Sequence, residues 1–232
     1  MAGVSNLIED SAYRNRKFVF KDRLPAGELL ADKLRSVVTD GNMQVLAIPA
    51  GGVPVGYVLA EKLKIPFDVV VVRKIQIPWN TEAGFGAVTW DGRPILNDPL
   101  IVQLGLNAEA VEQCISRTQQ MVQEKNQRLR GGRPFPDLSG RTVILVDDGL
   151  ASGFSMLAAA ESIKTRHPRK IVVAVPTGSA HAIALLAPKV DELVCLNVRS
   201  GPVFAVADAY ENWYDLSDDE VLEYLRRSRK EK

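Results

Sequence analysis

The chain has 232 residues, 25% of them charged, and its 29 Lys and Arg against 28 Asp and Glu leave a formal net charge of +1. That length suits one α/β domain spanning 1–232 with a core of its own, and near-neutrality leaves no basic field for nucleic acid. Cys114 and Cys195 stand far apart, no run is long enough to span a membrane, and Met1 to Asp10 lacks the apolar core of a signal peptide; a disulfide framework is therefore not expected and a cytoplasmic, membrane-free protein is.

Leu24 to Val38 carries apolar residues at helical spacing (Leu29, Leu30, Leu34, Val37, Val38), and Gly41-Asn42 stops it. Gln44 to Pro49 is expected as a short buried strand, followed by a Gly-Gly loop and a helix over Val53 to Leu63. Asp68 to Val72 is the next buried strand. Ala87 to Trp90 and Arg93 to Leu96 flank Asp91-Gly92, a hairpin signal. Asn107 is placed to cap a long polar helix ending near Leu129, and the Gly- and Pro-rich stretch from Gly131 to Gly140 is a connector. A strand over Val143 to Val146, a helix from about Met156, a strand over Ile171 to Val175, a helix over Ser179 to Leu186 and a strand over Leu193 to Val198 complete the alternation. Ser217 caps a last helix with Asp218, Asp219 and Glu220 in its first turn and Arg226, Arg227 and Arg229 near its end, as the helix dipole favours. Strands alternating with helices imply a mostly parallel central sheet with flanking helices. His167 and His181 have no metal-ligand spacing and are expected at helix ends or on the surface.

The most informative stretch is Val143-Ile144-Leu145-Val146-Asp147-Asp148-Gly149-Leu150-Ala151-Ser152-Gly153-Phe154-Ser155. A buried strand runs into two acids at its carboxyl end, where open α/β sheets bind ligands. The loop then brings backbone N–H groups and two hydroxyls to a helix N-terminus, which suits an anion. Carboxylates beside phosphate donors fit a sugar phosphate. The plainer alternative is an acidic turn before a capped helix.

That stretch resembles the phosphoribosyl-pyrophosphate (PRPP) signature of type I phosphoribosyltransferases, with Ser152 where Thr is usual. The resemblance extends over nearly the whole chain to one little-characterised branch of that family. It is carried by Phe20-Lys21-Asp22-Arg23, Gly27, Arg73-Lys74, Pro78, Asn80, Glu82, Gly86-Ala87-Val88, Arg130-Gly131-Gly132-Arg133-Pro134, Val206, Tyr210-Glu211 and Ser217-Asp218-Asp219-Glu220-Val221. It implies the type I fold with a small hood from approximately 1–25, 75–100 and 199–214. The implied reaction moves the 5-phosphoribosyl group of PRPP to a nitrogenous acceptor, with release of pyrophosphate and with Mg²⁺ bound mainly through PRPP. PRPP and a small-molecule acceptor are the implied partners, and a homodimer is an option.

By the same resemblance, Asp147 and Asp148 hold ribose hydroxyls and stabilise positive charge on the sugar. Gly149, Leu150, Ala151, Ser152, Gly153, Phe154 and Ser155 anchor the 5′-phosphate. Ala50, Gly51 and Gly52 receive pyrophosphate, and Arg73 and Lys74, two adjacent cations expected at the carboxyl end of the Asp68 to Val72 strand, face the same crevice as its natural partners. No protein ligand to the metal is assigned. Ala50 departs from the branch, which is expected to carry Arg there. Phe204, Tyr210 and Trp213 are each either base-stacking or packing residues. An alternative reading keeps the fold and PRPP binding in a sensing regulator with weak catalysis. No Walker-type Gly-Lys-Ser/Thr and no nucleophile-elbow pattern supports a hydrolase or another nucleotide-binding class.

Overall fold

The computed structural model describes residues 5–37 and 41–230. Its elements run β1 (Leu7–Glu9), α1 (Arg23–Leu34), β2 (Met43–Ala47), α2 (Gly52–Leu63), β3 (Phe67–Val69), β4 (Val72–Ile77), β5 (Asn80–Thr89), β6 (Pro94–Leu96), α3 (Asp98–Gln103), α4 (Ala108–Arg130), β7 (Thr142–Val146), α5 (Phe154–Lys164), β8 (Lys170–Ser179), α6 (Ala180–Leu186), β9 (Glu192–Arg199) and α7 (Asp218–Lys230). Six strands form a parallel sheet in the order β1-β9-β8-β7-β2-β3. Three more, β4-β5-β6, form an antiparallel sheet beside it.

Strand residues alternate between two faces, and both faces of the parallel sheet are covered. Val143, Leu145, Ile171 and Val173 pack with Met156, Ile163 and Ile183 of α5 and α6. Ile144, Val146, Val172 and Ala174 pack with Leu30, Leu34, Val55 and Leu59 of α1 and α2. Hence β7 is apolar from Val143 to Val146, since neither face meets water. A third cluster joins Ile75, Phe85 and Val88 of the antiparallel sheet to Ile115 and Val122 of α4 and Val221 and Leu225 of α7.

Several boundaries differ from the sequence expectation. Helix α1 ends at Leu34, where its last carbonyls turn into a short bend; Val38 lies outside the described residues. The apolar run Asp68 to Val72 is two strands. β3 ends at Val69 and pairs with β2, and after Val70 and Val71 the chain opens β4 at Val72 in the other sheet. Arg73 and Lys74 therefore begin an antiparallel strand and do not end a central one. The hairpin around Asp91-Gly92 forms, with Gly92 at φ +81° as such a turn requires. Asn107 caps α4, its side chain accepting from Ala110 N at 2.8 Å. At the far end of α4, Arg130 is buried against Asp68 at 2.8 Å, fixing that helix end to β3. Ser217 and Glu220 make reciprocal capping contacts at the start of α7. Both cysteines are free thiols, and both His residues are exposed.

Candidate functional site

The carboxyl ends of β2 and β7 lie side by side, because the two strands pair in register from Met43–Thr142 to Ala47–Val146. Their following loops meet there. Asp147 is half-buried, and its Oδ1 accepts from the Asp148 amide at 2.9 Å. The loop beyond is tied to the end of β8: Leu150 N donates to Thr177 O, Ser179 N donates to Leu150 O, and Ser179 Oγ donates to Ala151 O at 2.7 Å. Leu150 is buried in the core and offers a ligand only its backbone. Ala151 and Ser152 are exposed, Ser152 Oγ accepts from Phe154 N at 3.3 Å, and Ser155 is half-buried. Gly153 holds φ +79°, a conformation open to glycine and costly for other residues. Helix α5 starts at Phe154, two residues before the expected Met156, because Gly153 turns the chain directly into it. Phe154 itself packs against the core.

Gly51 and Gly52 have a role that the sequence reading did not assign them. A Cβ on Gly51 would lie 1.9 Å from Asp148 Oδ2, and one on Gly52 would lie 2.8 Å from the Asp147 Cα. The glycines let the acid pair pack against the neighbouring loop, besides any close approach to an anion. The Pro49–Ala50 peptide is cis, and Ala50 is half-buried against the third core cluster. The structure thus brings Asp147, Asp148, Gly51, Gly52 and the 149–155 loop together at the carboxyl end of the parallel sheet.

Arg23 was missed in the sequence reading as a site residue. Its Nε donates to Asp148 Oδ2 at 2.9 Å, its Nη1 donates to Tyr214 O at 2.8 Å, and its guanidinium lies 3.9 Å from the Trp213 ring centroid. The side chains of Arg23 and Asp148 are only 7% and 12% exposed. The Tyr210 hydroxyl donates to the Asp148 carbonyl at 2.6 Å. Burial raises the Asp148 carboxyl above its ordinary value, while Arg23 pulls it back. Burial and the charge of Asp148 push Asp147 well above the ordinary 3.8. The one signal available beforehand was Asp22-Arg23 within the quoted N-terminal stretch; Asp22 is the α1 N-cap, accepting from Leu24 N at 2.9 Å.

Arg73 and Lys74 line a groove of about 120 Å³ between β4 and α4, together with Arg117 and Thr118. Arg73 is exposed and Lys74 half-buried. Of the aromatic candidates, Tyr210 is 1% exposed and wedged between Phe20 and Trp213, so it is a packing residue. Trp213 is 37% exposed with Arg23 on its face, and Phe204 lies beneath Arg199. Among the described residues no group of three or more His, Cys, Asp or Glu is placed to hold a metal ion. No helix among them is long and apolar enough to cross a membrane.

A family model described as a phosphoribosyl transferase domain matches residues 24–207. Two Mycobacterium tuberculosis proteins, from strains CDC 1551 / Oshkosh and ATCC 25618 / H37Rv, both bear the name "Putative phosphoribosyl transferase". Each is 38% identical over 214 residues, 92% of this chain and 48% of the relative. The chain thus spans about half the length of the curated relatives it matches. The crystal structure of TT1426 from Thermus thermophilus shares 35% identity and a TM-score of 0.75, covering 90% of this chain and 98% of that one.

Proposed function

The chain belongs to the phosphoribosyl transferase family, and from that membership we propose that it transfers the 5-phosphoribosyl group of PRPP to a nitrogenous acceptor, with release of pyrophosphate. The observation that carries this reading is the contact between two loops: the acid pair after β7 rests directly on Gly51-Gly52 after β2. One loop is suited to the sugar and its 5′-phosphate, the other to the leaving group, and the reacting C1–O bond would span them.

In this reading the phosphate lies against the backbone N–H groups from Ala151 to Ser155. The first turn of α5 has N–H groups with no intrahelical partner and the positive end of the helix dipole. The Ser152 and Ser155 hydroxyls add donors. Asp147 faces the sugar and opposes the positive charge that grows at C1 as pyrophosphate departs, and the buried Asp148 behind it adds its charge. The leaving anion is received by the 50–52 backbone, with Arg73 and Lys74 as its cations. Catalysis is then chiefly positioning and electrostatics. The donor set suits Mg²⁺ arriving on PRPP oxygens, because that ion keeps water and phosphate ligands readily. The acceptor enters under a hood drawn from 1–25, 75–100 and 199–214, of which residues 1–4 lie outside the described residues.

A second reading, a sensing regulator that binds PRPP without turning it over, is favoured by the small Ala50 in the pyrophosphate loop. Incubation with PRPP, Mg²⁺ and a panel of nucleobases, scored by pyrophosphate release, separates the two. Release that depends on one acceptor supports the transferase. PRPP binding with no release for any base supports the regulator.

A further inference from the structure

We propose that Arg23 is a positioning residue of the transfer site. It holds Asp148 as a fixed anion behind Gly51, leaves Asp147 as the carboxylate open to the sugar, and is itself held by the strap from Tyr210 to Tyr214. This rests on the transferase reading for its function, though not for its geometry.

Arg23 is the first residue of α1, where the helix dipole disfavours a cation. Nothing about starting a helix calls for it. Arg is rarely buried without partners, and this one is 6% exposed. All of its visible restraints converge on the acid pair and the strap: Nε on Asp148, Nη1 on the Tyr214 carbonyl, and the Trp213 ring against the guanidinium face. An Arg cannot shed its proton in a protein, so the charge opposite Asp148 is permanent. The strap also grips the acid directly, through the Tyr210 hydroxyl on the Asp148 carbonyl. The space that lets the Asp148 carboxylate sit here is the missing Cβ of Gly51. Three chain segments, α1, the strap and the Gly51 loop, therefore agree on one placement of one carboxylate.

The consequence is a division of labour. Asp148 has its cation, whereas Asp147 has no ion-pair partner among the described residues. The charged and titratable groups facing Asp148 are Arg23 from α1, Asp147 on its own loop, and the Tyr210 hydroxyl from the strap. Arg23 is the only cation in that set. Its charge offsets that of Asp148 beside Asp147, the acid left to meet a cationic sugar.

The test compares wild type, Arg23→Gln and Arg23→Lys. PRPP affinity with Mg²⁺ is measured by calorimetry from pH 5 to 9, and the Asp carboxyl carbons are titrated by ¹³C NMR. Removing a cation at this range moves a carboxylate by about 1–3 pH units. The acid limb of PRPP binding in Arg23→Gln is expected to move up by that amount, and Arg23→Lys is expected to restore it. A merely structural Arg23 would lower the melting temperature and leave the limb where it was; that result overturns the proposal. If wild type binds no PRPP, the transferase reading fails, and the carboxyl titration decides the Arg23 inference separately. An upward shift in Gln reversed in Lys upholds it, and coincident titrations refute it. If Arg23→Gln does not fold, the wild-type carboxyl titration is read by itself: Asp148 ionising at lower pH than Asp147 upholds the proposal, and the reverse order overturns it.

Discussion

Replacing Asp148 by Asn leaves the Arg23 guanidinium buried without an anion, whereas replacing Asp147 by Asn relieves a carboxylate that the fold holds at a cost. The two changes look alike in sequence and should act in opposite directions. Breaking a buried pair by removing one partner costs about 3–5 kcal/mol. The low end applies here, because Asn still accepts from Arg23 Nε, and the Tyr214 carbonyl and Trp213 ring remain. At about 2–4 °C per kcal/mol for a chain of this size, Asp148→Asn should melt roughly 6–12 °C below wild type. For Asp147 the sign follows from its raised carboxyl. The folded state holds that proton more tightly than the unfolded chain. Its stabilising contribution is full below the ordinary 3.8 and is lost as pH rises through the raised value. Asp147→Asn should therefore melt above wild type at pH 7 and 8, with the gain vanishing near pH 4. Thermal melts of the three proteins at pH 4, 7 and 8 measure this directly. Equal losses in both variants, or Asp148→Asn melting with wild type, would refute the assignment of Arg23 to Asp148.

Gly51→Ala should damage folding or displace Asp148, since the new Cβ would fall 1.9 Å from its carboxylate; a soluble variant with unchanged PRPP affinity would count against the packed loops. Gly153→Val places a β-branched residue at φ +79° with Ala182 Cβ 3.0 Å from its Cβ. It should abolish 5′-phosphate binding, measured with ribose 5-phosphate as a competitor, and unaltered competition by a folded variant removes the loop from the site. Ala50→Arg should tighten PRPP binding by about ten- to hundredfold if the new side chain reaches the pyrophosphate, as a charge-assisted bond of roughly 1.5–3 kcal/mol implies. Weaker binding would show that the loop is built around a small residue. Ser217→Ala should cost about 1 kcal/mol through loss of the α7 cap, seen as a small drop in melting temperature with PRPP affinity unchanged.

How much of this was readable beforehand depended on how local the cause was. The β7–loop–α5 unit was legible because every cue sits within a dozen residues: a strand buried on both faces, two acids, and a helix start. The Asn107 and Ser217 caps were legible for the same reason. The break between β3 and β4 was not, because Val69 to Val72 is uniformly apolar and only the partner strands distinguish its two halves. Strand β8 runs past the expected Val175 to Ser179; the Thr177 hydroxyl on Asn197 and the continuing register with β9 hold it in the sheet. Strand β1 is three residues with no pattern of its own and exists through pairing with β9. Helix α3 is short and capped by Asn97, too brief to show a period. Arg23 was illegible because its partner lies 125 positions away. In a helix's first turn it resembles any solvent-facing Arg.

PRPP binding at the carboxyl end of the parallel sheet is tested most directly by calorimetric titration of the wild-type chain with PRPP in the presence of Mg²⁺, repeated with pyrophosphate and ribose 5-phosphate as competitors. The expected result is saturable binding to one site, lowered by either competitor and lost in Asp147→Asn. No saturable heat with PRPP and Mg²⁺, or binding that persists unchanged in Asp147→Asn and Gly153→Val, would contradict it.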